Sequence, residues 1–218
     1  MADDDRFLEE CLRIIGVETA AQVRANLLWL GEELLRWNRK VNLTSISNPQ
    51  EVIVKHLVDS LSVLPLLGPE ERLLDVGSGG GFPGLPLAIV DPGREIVTVD
   101  AVGKKIDFQR HVVRRIKLDH CQPLHRRIED IPRWSDFGSG FDVVISRAFA
   151  SLADFAAHAF PCLKQGGRMI AMKGPEGEYE LSAHKKGWQE YGLEFVDMYR
   201  LNLPVSMGER QLLIFQRV

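Results

Sequence analysis

The sequence predicts an α/β fold: a mostly parallel sheet flanked by helices, with an antiparallel C-terminal edge and a helical N-terminal extension. Three observations point there. From Arg72 onward, short apolar runs alternate with longer helical stretches, the pattern of a parallel sheet with crossover helices. The first of those runs ends in a glycine-rich turn, where such a sheet holds a nucleotide. The last two runs follow one another without an intervening helix, which makes them antiparallel.

Taken in order, the elements begin with a helix whose apolar stripe is Val23, Leu27, Leu30, Leu34 and Trp37, with Thr19 as its expected N-cap. A second helix is announced by Asn48-Pro49-Gln50-Glu51, with Asn as cap and Pro in the first turn, and is expected to continue through Val52 to Leu64. Strands are expected at Leu73–Val76, Ile96–Val99 and Phe141–Ile145, with a further β-like run just before Arg126. Glu194–Leu201 and Gln211–Gln216 are the closing pair, joined through Pro204 and Gly208. Residues 1–67 are read as the extension and 68–218 as the core, together one compact unit.

Composition sets bounds. Three scattered cysteines without a CxxC pair or a histidine cluster give no metal site or disulfide framework and suit a reducing cytoplasm. No apolar run is long enough to span a bilayer, and the acidic start is unlike a signal peptide, so a soluble monomer is expected. A net charge of −3 gives no global pull on nucleic acid, so any RNA binding would have to come from a local basic patch.

The turn Asp75-Val76-Gly77-Ser78-Gly79-Gly80-Gly81-Phe82-Pro83-Gly84 brings backbone close to a ligand, with Gly77 and Gly79 as contact positions. Asp100, ending the second core strand, is placed to accept from both ribose hydroxyls of an adenosine. Gly79-x-Gly81-x-x-Gly84 also fits a dinucleotide pattern, so an NAD-dependent oxidoreductase is the rival reading. Two features favour S-adenosylmethionine. The Asp75 carboxylate suits an ammonium and would repel phosphates. Pro83 and Pro86 are expected to break the helix that would present its N-terminus to a pyrophosphate. Ile128 and Glu129 are candidates for the adenine edge.

The segment Ser146-Arg147-Ala148-Phe149 ends the fourth β-run, where an α/β enzyme reaches the reacting atoms. It lacks the Asp/Asn-Pro-Pro-aromatic motif of adenine amino methylation. Cys162 lies in an apolar helical stretch and reads as core rather than as the nucleophile of pyrimidine C5 methylation. Guanine N7 attacks a methyl group with its own lone pair, so positioning is the main task. Arg147 is placed either to clamp the guanine O6 face or to hold the cofactor. A basic helix face over residues 103–117, carrying Arg110, Arg114 and Arg115, is the candidate RNA surface, extended by Arg126, Arg127 and Arg133. Arg36, Arg39 and Lys40 are the competing surface. Lys185-Lys186 is ambiguous.

Five ordered motifs, Trp37-Asn38-x-x-x-Asn42-Leu43-Thr44, His56-Leu57-x-Asp59-Ser60-Leu61, Asp75 through Gly84, Ser146 through Ala150 and Lys173-Gly174, resemble the bacterial small-subunit ribosomal RNA methyltransferase G family, as does the ending Gly208-Glu209-Arg210. The resemblance spans nearly the whole chain. It implies a class I, Rossmann-like methyltransferase with a seven-stranded sheet that moves a methyl group from S-adenosylmethionine to N7 of a guanine in 16S rRNA, near the decoding site of the small ribosomal subunit. It implies cofactor contacts at Gly77, Phe82, Ile128, Glu129 and Arg147. Asn38 and Lys173 join Arg147 as its catalytic candidates, and His56, Asp59 and Arg210 join the arginines above as RNA candidates. His56 fits a hydrogen-bonded packing histidine equally well. Many members carry Pro or Ala where Gly80 stands, a small departure. A third reading is a non-catalytic ribosome-binding protein.

Overall fold

The computed structural model describes residues 2–133, 137, 138, 140–147, 149, 151–184 and 187–218, with the backbone alone at residues 132 and 133. Lys185, Lys186, Ala148, Ala150 and the Arg133 side chain therefore lie outside the described residues.

Seven strands form one sheet: β1 (Leu73–Val76), β2 (Ile96–Asp100), β3 (Cys121–His125), β4 (Phe141–Ser146), β5 (Leu163–Lys173), β6 (Leu193–Asn202) and β7 (Glu209–Arg217). Their order across the sheet is β3-β2-β1-β4-β5-β7-β6. The first five run parallel, and β7 inserts antiparallel between β5 and β6. Pro123 sits in β3, an edge strand, where a missing ladder donor is tolerated. The strand β5 has no counterpart among the expected runs. Gln165-Gly166-Gly167 interrupts its apolar pattern, and the pairing with β4 shifts register there, so no continuous period announces it.

Helices α1 (Ala2–Ile14) and α2 (Ala21–Asn38) precede the sheet. The N-cap of α2 is Ala20, with no side-chain bond, rather than Thr19; the Thr19 carbonyl accepts from the Arg24 guanidinium instead. At the next helix Asn48 caps as expected, its Oδ1 accepting from the Gln50 and Glu51 amides. That helix is not uniform to Leu64. It runs as α3 (Pro49–Val52), widens into a π-turn over Ile53–Val58 and closes as α4 (Asp59–Leu61). Single π-turns inside helices often mark functional sites. The core helices are α5 (Gly84–Val90), α6 (Gly103–Ile116), α7 (Leu152–Ala159) and α8 (Gly177–Ala183).

One face of the sheet and the extension share a single apolar cluster, in which Leu8, Leu27, Leu34 and Leu57 meet Leu73, Ile96 and Val143. The other face packs Phe141, Phe155 and Phe215. Among the described residues no helix is long and apolar enough to cross a membrane.

Candidate functional site

The parallel strands place their carboxyl ends together, and a cavity of about 250 Å³ opens there. Val76 and Gly77 line it from the end of β1, Val99, Asp100 and Ala101 from the end of β2. Arg126 to Glu129 follow β3 and close another wall, with Phe149 after β4. Gly77 has φ +64°, and a Cβ there would project into open space. Its backbone is thus bare toward a ligand. Of the residues expected to hold the cofactor, Gly77, Asp100, Ile128 and Glu129 lie on this wall. Gly79 stands one bond behind it: its amide donates to Asp100 Oδ2 at 2.9 Å, while Asp100 Oδ1 accepts from the Val102 amide.

The glycine turn is braced from below by Gln109 of α6, which sequence reasoning missed. This buried amide donates to Ser78 Oγ and to the Gly79 carbonyl, both at 2.8 Å, and accepts from the Thr98 hydroxyl. A polar residue on the buried face of an amphipathic helix was the available signal.

Asp75 and Phe82 sit elsewhere. Asp75 is fully buried behind the turn, and its Oδ2 accepts from the Gly84 amide at 2.8 Å. A Cβ at residue 84 would come within 2.9 Å of that oxygen and 2.5 Å of Thr98, so only glycine permits the contact. Asp75 Oδ1 is buried with no partner among the described residues. Burial pushes this carboxyl up to about 7, against the pull of the Gly84 amide and of Arg147. The two prolines do not break α5, contrary to expectation. Pro83 precedes it, and Pro86 falls in its first turn, where a missing N–H is harmless. That first turn nonetheless offers no N–H to a phosphate. Gly84 gives its own to Asp75, Leu85 to the Gly81 carbonyl, Pro86 has none, and Leu87 donates to Pro83.

Phe82, 5% exposed, lies under the His56 ring, with centroids 4.8 Å apart, and under the Arg147 guanidinium. Here the extension enters the site. Arg147 Nη1 donates to the Lys55 carbonyl in the π-turn at 2.7 Å and to Asp59 Oδ2 at 3.2 Å, and Nη2 meets His56 Nδ1 at 2.9 Å. Asp59, 0% exposed, also takes both arms of Arg210 at 2.6 and 2.8 Å. Burial and the Arg147 charge push His56 down to about 3, so it is neutral.

Asn38 organises the loop after α2, accepting from the Leu43 and Thr44 amides and donating to the Thr44 carbonyl. Lys173 pairs with both oxygens of Glu180 at 3.0 Å and donates to the Phe149 carbonyl. Neither lines the cavity. Cys162 is buried, its thiol pushed up to about 12 by desolvation, which keeps it from acting as a thiolate. Arg110, Arg114 and Arg115 are exposed on α6, and Arg110 faces Asp107 at 3.8 Å. Among the described residues no group of three or more His, Cys, Asp or Glu is placed to hold a metal.

The profile of one family, rRNA small subunit methyltransferase G, matches residues 24–212. Curated proteins called ribosomal RNA small subunit methyltransferase G are similar along nearly their whole length. That of Syntrophotalea carbinolica is 43% identical, with 96% of each chain covered. That of Myxococcus xanthus is 40% identical, covering 98% of this chain and 97% of its own. Among solved structures, fibrillarin in its complex with Nop5p superposes with a TM-score of 0.57 at 20% identity, over 74% of this chain and 84% of that one. TYW2 of M. jannaschii, solved with AdoMet, gives 0.56 at 15% identity over 74% and 76%. At those identities the solved structures speak for the fold.

Removing the buried Asp59 carboxylate leaves two guanidinium groups without their anion. Asp59→Ala is therefore expected to lower the unfolding free energy by about 3–5 kcal/mol. Urea denaturation measures it, and a loss below about 1 kcal/mol would show that the cluster contributes little to stability.

Proposed function

The chain belongs to the rRNA small subunit methyltransferase G family, and from that membership we propose that it methylates N7 of a guanine in 16S rRNA. It is an S-adenosylmethionine-dependent methyltransferase of the class I fold. The observation that carries the cofactor's side of this reading is the closed N-terminus of α5 beside a glycine-lined, acid-bearing cavity. A dinucleotide needs free N–H groups for its pyrophosphate, and this helix has none to give.

When bound, S-adenosylmethionine supplies an electrophilic methyl group on a sulfonium. The residues of the chain fit it in parts. Asp100 would take the ribose hydroxyls, and Ile128 with Glu129 would take the adenine edge. The cavity, just under the ~300–1,000 Å³ typical of ligand pockets, suits the nucleoside portion. The orphaned Asp75 Oδ1 is an acceptor in want of a donor, and the cofactor's ammonium is one, directly or through water. Arg147 would hold the cofactor, whose carboxylate suits the two-donor edge of a guanidinium. N7 needs no general base, because its lone pair is already free. A buried, protonated Cys162 offers no covalent route to a pyrimidine.

RNA docking is assigned to one basic face built from two helices. Glu33 of α2 is buried and accepts from Arg36 on its own helix and from His111 of α6, while Arg115 lies over the Trp29 ring. The helices that carry the exposed Arg36, Arg39 and Lys40 and the exposed Arg110, Arg114 and Arg115 are thus packed against each other.

The direct test is incubation of the protein with small ribosomal subunits and methyl-labelled S-adenosylmethionine, followed by mapping of the label. Release of 7-methylguanine from 16S rRNA is expected. Label on another atom would overturn the substrate assignment, and no label would favour a binding protein without turnover.

Ionised Asp75 is required by the ammonium, yet its carboxyl in the free protein titrates at about 7. Affinity for S-adenosylmethionine should therefore fall as pH drops below that value, by up to about tenfold per unit. Calorimetry from pH 8 to 5.5 measures the slope. Asp75→Asn should bind more weakly and lose the pH dependence; an unchanged slope would remove Asp75 from the site.

Replacing Arg110, Arg114 and Arg115 with Gln should lower the slope of log RNA affinity against log salt by about two to three units, with cofactor affinity intact. The set Arg36, Arg39 and Lys40 should act likewise. If one set leaves the slope unaltered, the RNA touches only the other helix.

A further inference from the structure

We infer that His56, held by Thr44, is a positioning residue that fixes the guanidinium of Arg147 with one edge free for the cofactor. The inference rests on the methyltransferase reading of Arg147 given above and concerns how that side chain is aimed.

The ring nitrogens of His56 have distinct partners. Nδ1 faces Arg147 Nη2 at 2.9 Å, and a guanidinium can only donate, so Nδ1 must be unprotonated. The ring proton then sits on Nε2, 2.8 Å from Thr44 Oγ1, and donates to it. The same hydroxyl oxygen accepts from the Ile46 amide at 3.1 Å, which fixes its direction. Thr44 is in turn placed by Asn38, which bonds both its amide and its carbonyl and also holds the Leu43 amide. A continuous chain thus runs from the end of α2 through Thr44 and His56 to the residue at the end of β4. Phe82 supports the ring from below.

The consequence for Arg147 follows from counting donors. Both hydrogens of Nη1 are used by Lys55 and Asp59, and one hydrogen of Nη2 by His56. The Nε–H and the second Nη2–H have no partner among the described residues. These two lie on one edge of the guanidinium, the arrangement that grips a carboxylate or a carbonyl oxygen. Arg147 follows Ser146, whose hydroxyl donates to the carbonyl of Val76 in the cavity wall. Two contacts from the π-turn and one from Asp59 of α4 therefore pin one side of the guanidinium and leave the other presented. Packing alone would need a flat ring over Phe82, not a fixed tautomer.

Two substitutions separate the functions of the ring. Asn places an acceptor where His56 Nδ1 stands, and Gln places a donor where Nε2 stands. For positioning through Nδ1, His56→Asn should keep S-adenosylmethionine affinity within about threefold of wild type. His56→Gln should lose about tenfold or more, as should His56→Phe, which retains the stack on Phe82. Calorimetry without RNA reads this, with thermal melting to confirm that each variant folds. Nitrogen NMR of the wild-type histidines should show an unprotonated Nδ1 at His56 across pH 5–8. Equal losses for Asn and Gln, no loss for either, or a proton on Nδ1 would each overturn the inference. Because binding is measured without RNA, a failure of guanine N7 methylation would revise the substrate and leave this comparison to decide the role of His56.

Discussion

Asp59 is a fully buried carboxylate, and much of the arrangement around the site depends on how its charge is met. An isolated ion in that position would cost several kcal/mol, so it is held by two arginines, one giving a paired contact and one a single donor. Those arginines come from the end of β4 and the start of β7, while Asp59 comes from the helix that precedes the sheet. A single carboxylate thereby fastens the extension to two strand ends that border the site. The neutral His56, one turn earlier, completes the set without adding a charge that Arg147 would oppose.

The second constraint is the use of backbone donors in the glycine turn. In a dinucleotide site, N–H groups at the helix start are left for phosphate. Here the carboxylate of Asp75 takes the first of them from inside the fold, and local carbonyls take the others. The turn is stiffened instead by side chains, Gln109 from beneath and Asp100 from the neighbouring strand. What remains open to a ligand is the bare backbone at Gly77 and a wall that carries Asp100 and Glu129 beside Arg126 and Arg127.

The extension also shapes the outer surface. Trp29 and Trp37 of α2 lie against His111 and Phe108 of α6, and the buried Glu33 bridges the two helices. Two helices far apart along the chain, each bearing exposed arginines, are thereby packed against each other.

Strands β1, β2 and β4, the Asn48 cap and the amphipathic face of α6 were legible in the sequence, because each follows from hydrophobic period or from bonds spanning a few residues. The positions of the glycine turn and of Asp100 at strand ends were legible for the same reason. The strand β5 was not, since a glycine pair breaks its period. Nor was the intact α5, whose prolines read as breakers until the Gly84 amide is seen bonded to Asp75. The five motifs carried the family, but not the partnership among their residues. Asp59 and Arg210 stand 151 positions apart, and Arg147 meets His56 across 91. No local rule relates such positions. Only the path of the chain through the sheet brings them within hydrogen-bond reach, and burial then makes their pairing obligatory.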